Sequence, residues 1–325
     1  MIFDCKRKEA DIMKIKMAAA VLAAAVLVGF CGCSNVDESD SGKLKIVTTI
    51  FPQYDFARQI GGDRIELKML VMPGGESHAY EPSPQDITAV KNCDIFICAG
   101  GESDVWTGKI LDAIGTEDIT VIRMMDCVEV VEEEHVEGMV EGVFETEEDE
   151  YDEHVWTSLR NAQLISQEIG EKMMGLDVDN AEFYRENLER YVGRLRELDM
   201  EYSEAVEGAE NKTLIFGDRF PFRYLFNDYG LEYYAAFPGC STSTDVSASS
   251  VAFLINKVNE LSAPVVYYVE FSAGRVADTI AEETEAGTLL FHSCHTVSKE
   301  EFEGGVTYEE LMRKNLEVLK RGLVV

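Results

Sequence analysis

The sequence predicts an α/β protein of two similar lobes with parallel-type sheets, joined by one long rigid helix. Three observations carry that expectation. From about residue 44 onward, strand and helix patterns alternate, which is how a chain builds parallel sheets covered by crossover helices. A weak internal repeat relates the halves: Phe51-Pro52 is followed by Gly61, and Phe220-Pro221 is followed at the same interval by Gly230. Between them, Tyr184, Leu188, Tyr191, Leu195, Leu198, Tyr202 and Val206 recur at spacings of four and three. They form one apolar stripe on a helix of about 27 residues, or ~40 Å at ~1.5 Å per residue.

The elements follow in order. Lys6, Arg7, Lys8, Lys14 and Lys16 precede the apolar run AAAVLAAAVLVGF, which is short for a membrane span but suits the apolar centre of a signal peptide. The run ends in CGCS, where Gly32 supplies the small residue expected before a lipid-modified cysteine, whereas Cys31 follows the bulky Phe30. Residues 1–32 therefore read as a lipoprotein signal peptide, Cys33 as the lipidation site, and residues 33–43 as a polar tether. Met13 is an alternative start. The first lobe, 44–177, opens with the strand LKIVTTIF, the helix YDFARQIGG closing on glycines, and the strand RIELKMLV. It continues with the helix SPQDITAVKN, which SPQD can cap, and the strand CDIFICAGG. Residues 178–210 hold the linking helix, and 211–325 form the second lobe, with strands TLIF, LEYYAAF and VVYYVEF.

Composition narrows the function. A chain of 325 residues is long enough for about two domains at roughly 100–200 residues each. Its net charge of −32 repels phosphate backbones, which excludes nucleic acid, and favours cations. Cys5, Cys31 and Cys33 lie in the leader; Cys93, Cys98, Cys127, Cys240 and Cys294 remain. An odd number without a CxxC pair is no disulfide framework, although a Cys240–Cys294 pair stays open. One stretch, residues 126–153, carries fourteen acids, one histidine and no basic residue. Dense like charge stays solvated, and this stretch reads either as a plain soluble loop or as a cation-collecting arm in which Glu132, Glu133, Glu134 and His135 take part.

The remaining histidines stand at element ends. His78 follows the second strand in GGESHAYEPSPQD, His154 precedes a helix in HVWTSLRNAQLISQEI, and His292 follows TLLF in FHSCH; Asp218 follows TLIF. Ligand sites of parallel sheets lie at the carboxyl ends of strands. Imidazoles with one carboxylate suit tetrahedral Zn²⁺, whereas Mn²⁺ prefers more oxygen. No HExxH motif is present, and four protein ligands would leave no open position for chemistry, so the chain does not read as an enzyme. Glu76, Glu81, Asp152 and Glu153 are near enough in sequence to orient the imidazole rings.

Further motifs carry a family resemblance. IVTTIFPQYDFARQIGGD, PGGESHAYEPSPQDI, CDIFICAGGESDVW, DEHVWTSLRNA after an acidic loop, DRFPFRYLFNDYGL and TYEELMRKNLEVLKRGL span the chain from about Lys43 to its end. Together they resemble the zinc and manganese solute-binding proteins of bacterial ABC importers, the cluster A-I or cluster 9 binding-protein family. The resemblance implies one transition-metal ion held between the lobes, with His78 and His154 as the first-lobe ligands. The family's third ligand, a His or Glu, falls on Arg219 when counted back from Tyr229-Gly230 without a gap, and on Asp218 with one inserted residue. Arg219 stays protonated and cannot ligate, so Asp218 is preferred. The fourth position falls on His292, with His295 as the substitute. The implied function is a monomeric, lipid-anchored protein on the outer face of the cell membrane. It would bind Zn²⁺, in preference to Mn²⁺ or iron, and deliver it to an ABC permease and its ATPase subunit. A surface adhesin on the same fold is the other reading.

Overall fold

The computed structural model describes residues 42–77, 80–101, 104–139, 151–239 and 246–323. Among these, eight strands form two sheets of four. The first sheet orders β1 (Leu44–Thr48), β2 (Ile65–Met69), β3 (Ile95–Cys98) and β4 (Thr120–Arg123) as β2-β1-β3-β4. The second orders β5 (Thr213–Phe220), β6 (Glu232–Pro238), β7 (Val265–Tyr268) and β8 (Gly287–Leu290) as β6-β5-β7-β8. Every pairing is parallel. Strand for strand the two orders correspond, and the Phe-Pro repeat falls at the carboxyl end of the first strand of each sheet. In each sheet the chain runs to one side of that strand and then to the other, leaving a crevice at the strand ends, between β1 and β3 and between β5 and β7.

Local chemistry explains the element ends. The strand foreseen as LKIVTTIF stops at Thr48, because Phe51-Pro52 opens helix α1 (Phe51–Gly61). Proline lacks an N–H at a position where a helix has no partner for one, and Gln53 Oε1 accepts from the Thr49 and Ile50 N–H groups, 2.9 Å each. Helix α2 (Pro84–Lys91) has the foreseen cap: Ser83 N–H donates to Asp86 Oδ2 at 3.0 Å, and Asp86 N–H to Ser83 Oγ at 3.3 Å. Burial alone would raise the Asp86 pKa, but hydrogen bonds from Ser83, Lys68 and Tyr80 hold it down at about 2. Helix α3 (Val105–Ile114) completes the first sheet's cover, and α4 (Leu159–Leu176) follows the acidic segment.

The linking helix α5 runs Ala181–Glu207, 27 residues, and all seven stripe residues are buried. It is followed by α6 (Arg223–Tyr229), α7 (Ala248–Leu261), α8 (Arg275–Glu282), α9 (Lys299–Glu303) and α10 (Tyr308–Gly322). Polar contacts from α5 reach both ends of the body. Asn187 Nδ2 donates to Ile60 O (2.9 Å), Arg194 bonds Gln59 (3.1 Å) and Glu309 (2.6 Å), and Tyr202 Oη donates to Met312 O (2.6 Å). One apolar core takes in Ile46 and Ile95 of the first sheet, Leu214 and Phe216 of the second, the α5 stripe and Leu316 of α10. The lobes therefore share a core as well as a linker.

Candidate metal centre

Glu76 and His154 from the first lobe, and Arg219, Glu270 and His295 from the second, line a cleft of about 70 Å³. His154 heads a short helical turn, residues 155–157. Its Nδ1 lies 3.0 Å from Asp152 Oδ1, which also accepts from the His154 backbone N–H at 2.7 Å. A carboxylate only accepts, so Nδ1 carries the ring proton in the neutral imidazole and Nε2 keeps its lone pair for a ligand. Burial opposes a charge on this ring, yet the Asp152 and Glu153 carboxylates outweigh it and raise the His154 pKa. Asp152, one of four orienting candidates, thus holds the ring, and Tyr224 Oη in turn donates to the Asp152 carbonyl at 2.6 Å.

The segment FHSCH turns tightly after β8. Asn315 clamps His292 on both sides, accepting from its N–H at 2.8 Å and donating to its carbonyl at 2.7 Å. His292 Nδ1 accepts the Cys294 N–H at 2.9 Å. Ser293 is held by Glu270, whose carboxylate accepts its N–H (2.8 Å) and hydroxyl (2.5 Å), and by Trp156 Nε1, which donates to the Ser293 carbonyl at 2.9 Å. Burial would raise the Glu270 pKa, but His292 and these bonds lower it. Cys294 then adopts φ 62°, a left-handed conformation that costs a non-glycine residue on the order of 1–3 kcal/mol. Beyond that turn His295 lines the cleft, its ring centroid 6.4 Å from that of His154 and its Nε2 2.8 Å from Ser77 Oγ. Burial and the neighbouring His154 push the His295 pKa down to about 4, so the ring is neutral at pH 7.

In the second lobe, β5 shifts register between Phe216 and Arg219, a bulge that decides which side chain faces the cleft. Gly217 sits inside it, where a Cβ would lie 2.5 Å from the Ala277 Cα of α8. Asp218 is buried, its carboxylate accepting from the Arg219 N–H (2.8 Å) and the Val269 N–H (3.3 Å). Arg219 takes the cleft position. Asp218 and His292 are thus engaged with backbone, while His154 and His295 face one another. Glu270 has only a faint signal in the sequence, an acid at the end of the strand VVYYVEF.

The acidic segment is pinned at its base by a bridge between Glu132 and Tyr151 and by Asp152 N–H donating to Val131 O at 2.9 Å. Glu134 pairs with Arg223 at 2.8 Å and accepts from Tyr233 Oη at 3.3 Å, which keeps its carboxylate on the second lobe. The expectations on Cys33, His78, Cys240 and residues 140–150 fall outside the described residues. Among the described residues, no three histidine, cysteine or acidic side chains gather closely enough to hold an ion by themselves. No described helix is long and apolar enough to cross a membrane.

The family model described as "Zinc-uptake complex component A periplasmic" matches residues 46–322. The chain belongs to that family. Its members are metal-binding solute-binding proteins rather than enzymes. The high-affinity zinc uptake system protein ZnuA of Bacillus subtilis is 32% identical over 311 residues, 94% of this chain and 96% of that protein. Among solved structures, the metal-dependent lipoprotein YcdH of B. subtilis superposes with a TM-score of 0.74 at 30% identity, covering 87% of this chain and 100% of that one. The Zn(II)-bound ZnuA-like domain of Streptococcus pneumoniae AdcA gives 0.72 at 27% identity, covering 87% and 99%. The two-lobed fold with a long helix is thus common to this zinc-uptake family member and its relatives.

Proposed function

We propose that this protein captures Zn²⁺ in the interlobe cleft and delivers it to the permease of an ABC importer, anchored outside the membrane through Cys33. The observation that carries the site is a pair of imidazoles, the buried His154 and the partly buried His295, facing each other across the cleft with His154 Nε2 left open by Asp152. His78 follows Ser77, whose hydroxyl touches His295, and is the third imidazole of the proposal. What supports His295 over His292 is the Cys294 N–H bonded to His292 Nδ1; what counts against Asp218 is its pair of backbone N–H donors. Three nitrogens favour Zn²⁺ over Mn²⁺. The acidic segment, with Glu132, Glu133 and His135, would raise the local cation concentration at the cleft. The family match and the zinc-binding relatives support the cargo.

The test is chelator-competition titration of the full chain with Zn²⁺ and Mn²⁺. His154→Ala and His295→Ala should each lose at least about 100-fold in zinc affinity, ~2.7 kcal/mol, and His292→Ala much less. Full zinc affinity in both of the first two variants would sink the site.

A further inference from the structure

Arg219 is out of place in a cation site. Its guanidinium lines the cleft beside His154, His295 and Glu270, and its side chain is 30% exposed. Its nearest carboxylate, Glu76 Oε2, is 3.8 Å from Nη1, beyond hydrogen-bond distance, and Glu76 is itself half exposed. Among the described residues no acceptor satisfies any of its guanidinium N–H donors, whereas Arg58, Arg194 and Arg313 all bond carboxylates at 2.5–3.1 Å. The Glu270 oxygens accept the Ser293 N–H and hydroxyl, and no hydrogen bond joins that carboxylate to Arg219. A permanently charged fork next to neutral imidazoles would repel a divalent ion unless an anion lay between them.

We infer that the cleft takes a small planar oxyanion of the carboxylate or carbonate class together with the metal ion, with Arg219 holding the anion. This rests on the metal site proposed above. A planar oxyanion can offer one edge to the guanidinium, in the paired geometry that arginine prefers, and an oxygen to the coordination position that three imidazoles leave open. The space agrees. A cleft of about 70 Å³, against roughly 10–15 Å³ for one water by the same kind of measure, admits an ion and a group the size of formate, acetate or bicarbonate. The anion would neutralise Arg219 and part of the ion's charge, so cargo and counter-ion would be taken up as a unit.

The experiment measures zinc affinity of the full chain by chelator competition in carbonate-free chloride buffer, then with bicarbonate, formate or acetate added in turn. At least one anion should tighten wild-type binding about tenfold or more, and Arg219→Gln should bind zinc without responding to any of them. In the cobalt(II) form of the wild type, the same anion should shift the visible absorption bands, a readout that needs no variant. Arg219→Lys, which keeps the charge but not the fork, should retain only part of the response. Zinc binding of equal strength in all buffers, or a full anion response in Arg219→Gln, overturns the inference and leaves the metal site standing. Absence of zinc binding in every buffer overturns both.

Discussion

At the scale of single residues, the site is a matter of which nitrogen is free. Asp152 accepts a hydrogen bond from the His154 Nδ1–H and so fixes the tautomer that can bind a metal through Nε2. Asp152→Asn would replace the charged acceptor with a weaker amide oxygen and allow the NH2 group to face Nδ1 instead. Zinc affinity should fall about 10–100-fold, the range seen when such orienting partners are lost, with the fold unchanged by circular dichroism. An unchanged affinity would show that the ring is positioned by Trp156 and the lobe interface alone. Much of this was legible beforehand: DEHVW placed a histidine at a helix start with acids before it. The choice between His292 and His295 was not, because both stand in FHSCH and only the Asn315 clamp and the left-handed Cys294 decide which ring reaches the cleft.

At the scale of elements, α5 is where the sequence spoke most clearly. Its stripe is local, periodic and long, and burial follows the period residue by residue. Leu195 lies fully buried at its centre within the shared core. Leu195→Ala should cost about 2–5 kcal/mol of stability in denaturant unfolding, through lost burial and the cavity left behind. A loss well under 1 kcal/mol would mean that the core closes around the gap and that α5 is no rigid spine. Strand β5 is the opposite case. The sequence reads TLIF as the strand, whereas β5 runs on to Phe220, and its bulge swaps the faces that Asp218 and Arg219 would otherwise present. A single slip of phase moves an acid out of the cleft and a base into it.

At the scale of the whole molecule, the lobes are tied as well as linked. Tyr308 N–H donates to Asp55 Oδ2 (2.7 Å), Tyr308 Oη to Trp156 O (2.6 Å) and Trp156 Nε1 to Ser293 O (2.9 Å), joining the first lobe to the last helix and to the FHSCH turn. These bonds and the common core resist a wide hinge opening. The cleft's response to pH follows from its two described imidazoles. Protons and Zn²⁺ compete for the same nitrogen. Because the His154 pKa is raised, affinity is complete only above that raised value and falls as pH drops through it, by about tenfold per unit for one proton. His295 joins in only near its value of about 4, where the decline should steepen. Zinc titrations across this range check the sign, and affinity that stays flat from neutral pH down to about 4 would remove His154 from the site.

The sequence by itself determined the α/β class, the two corresponding sheets, the long buried helix, the α2 cap and the family, because each is written in local periodicity, in cap chemistry or in contiguous motifs. Tertiary structure alone decided which member of each adjacent candidate pair meets the cleft: Arg219 rather than Asp218, and His295 rather than His292. The physical reason is the same in both places. A side chain's direction depends on the phase of its backbone, and that phase was set by distant partners, Ala277 packed against Gly217 in one lobe and Asn315, Glu270 and Trp156 around the FHSCH turn in the other.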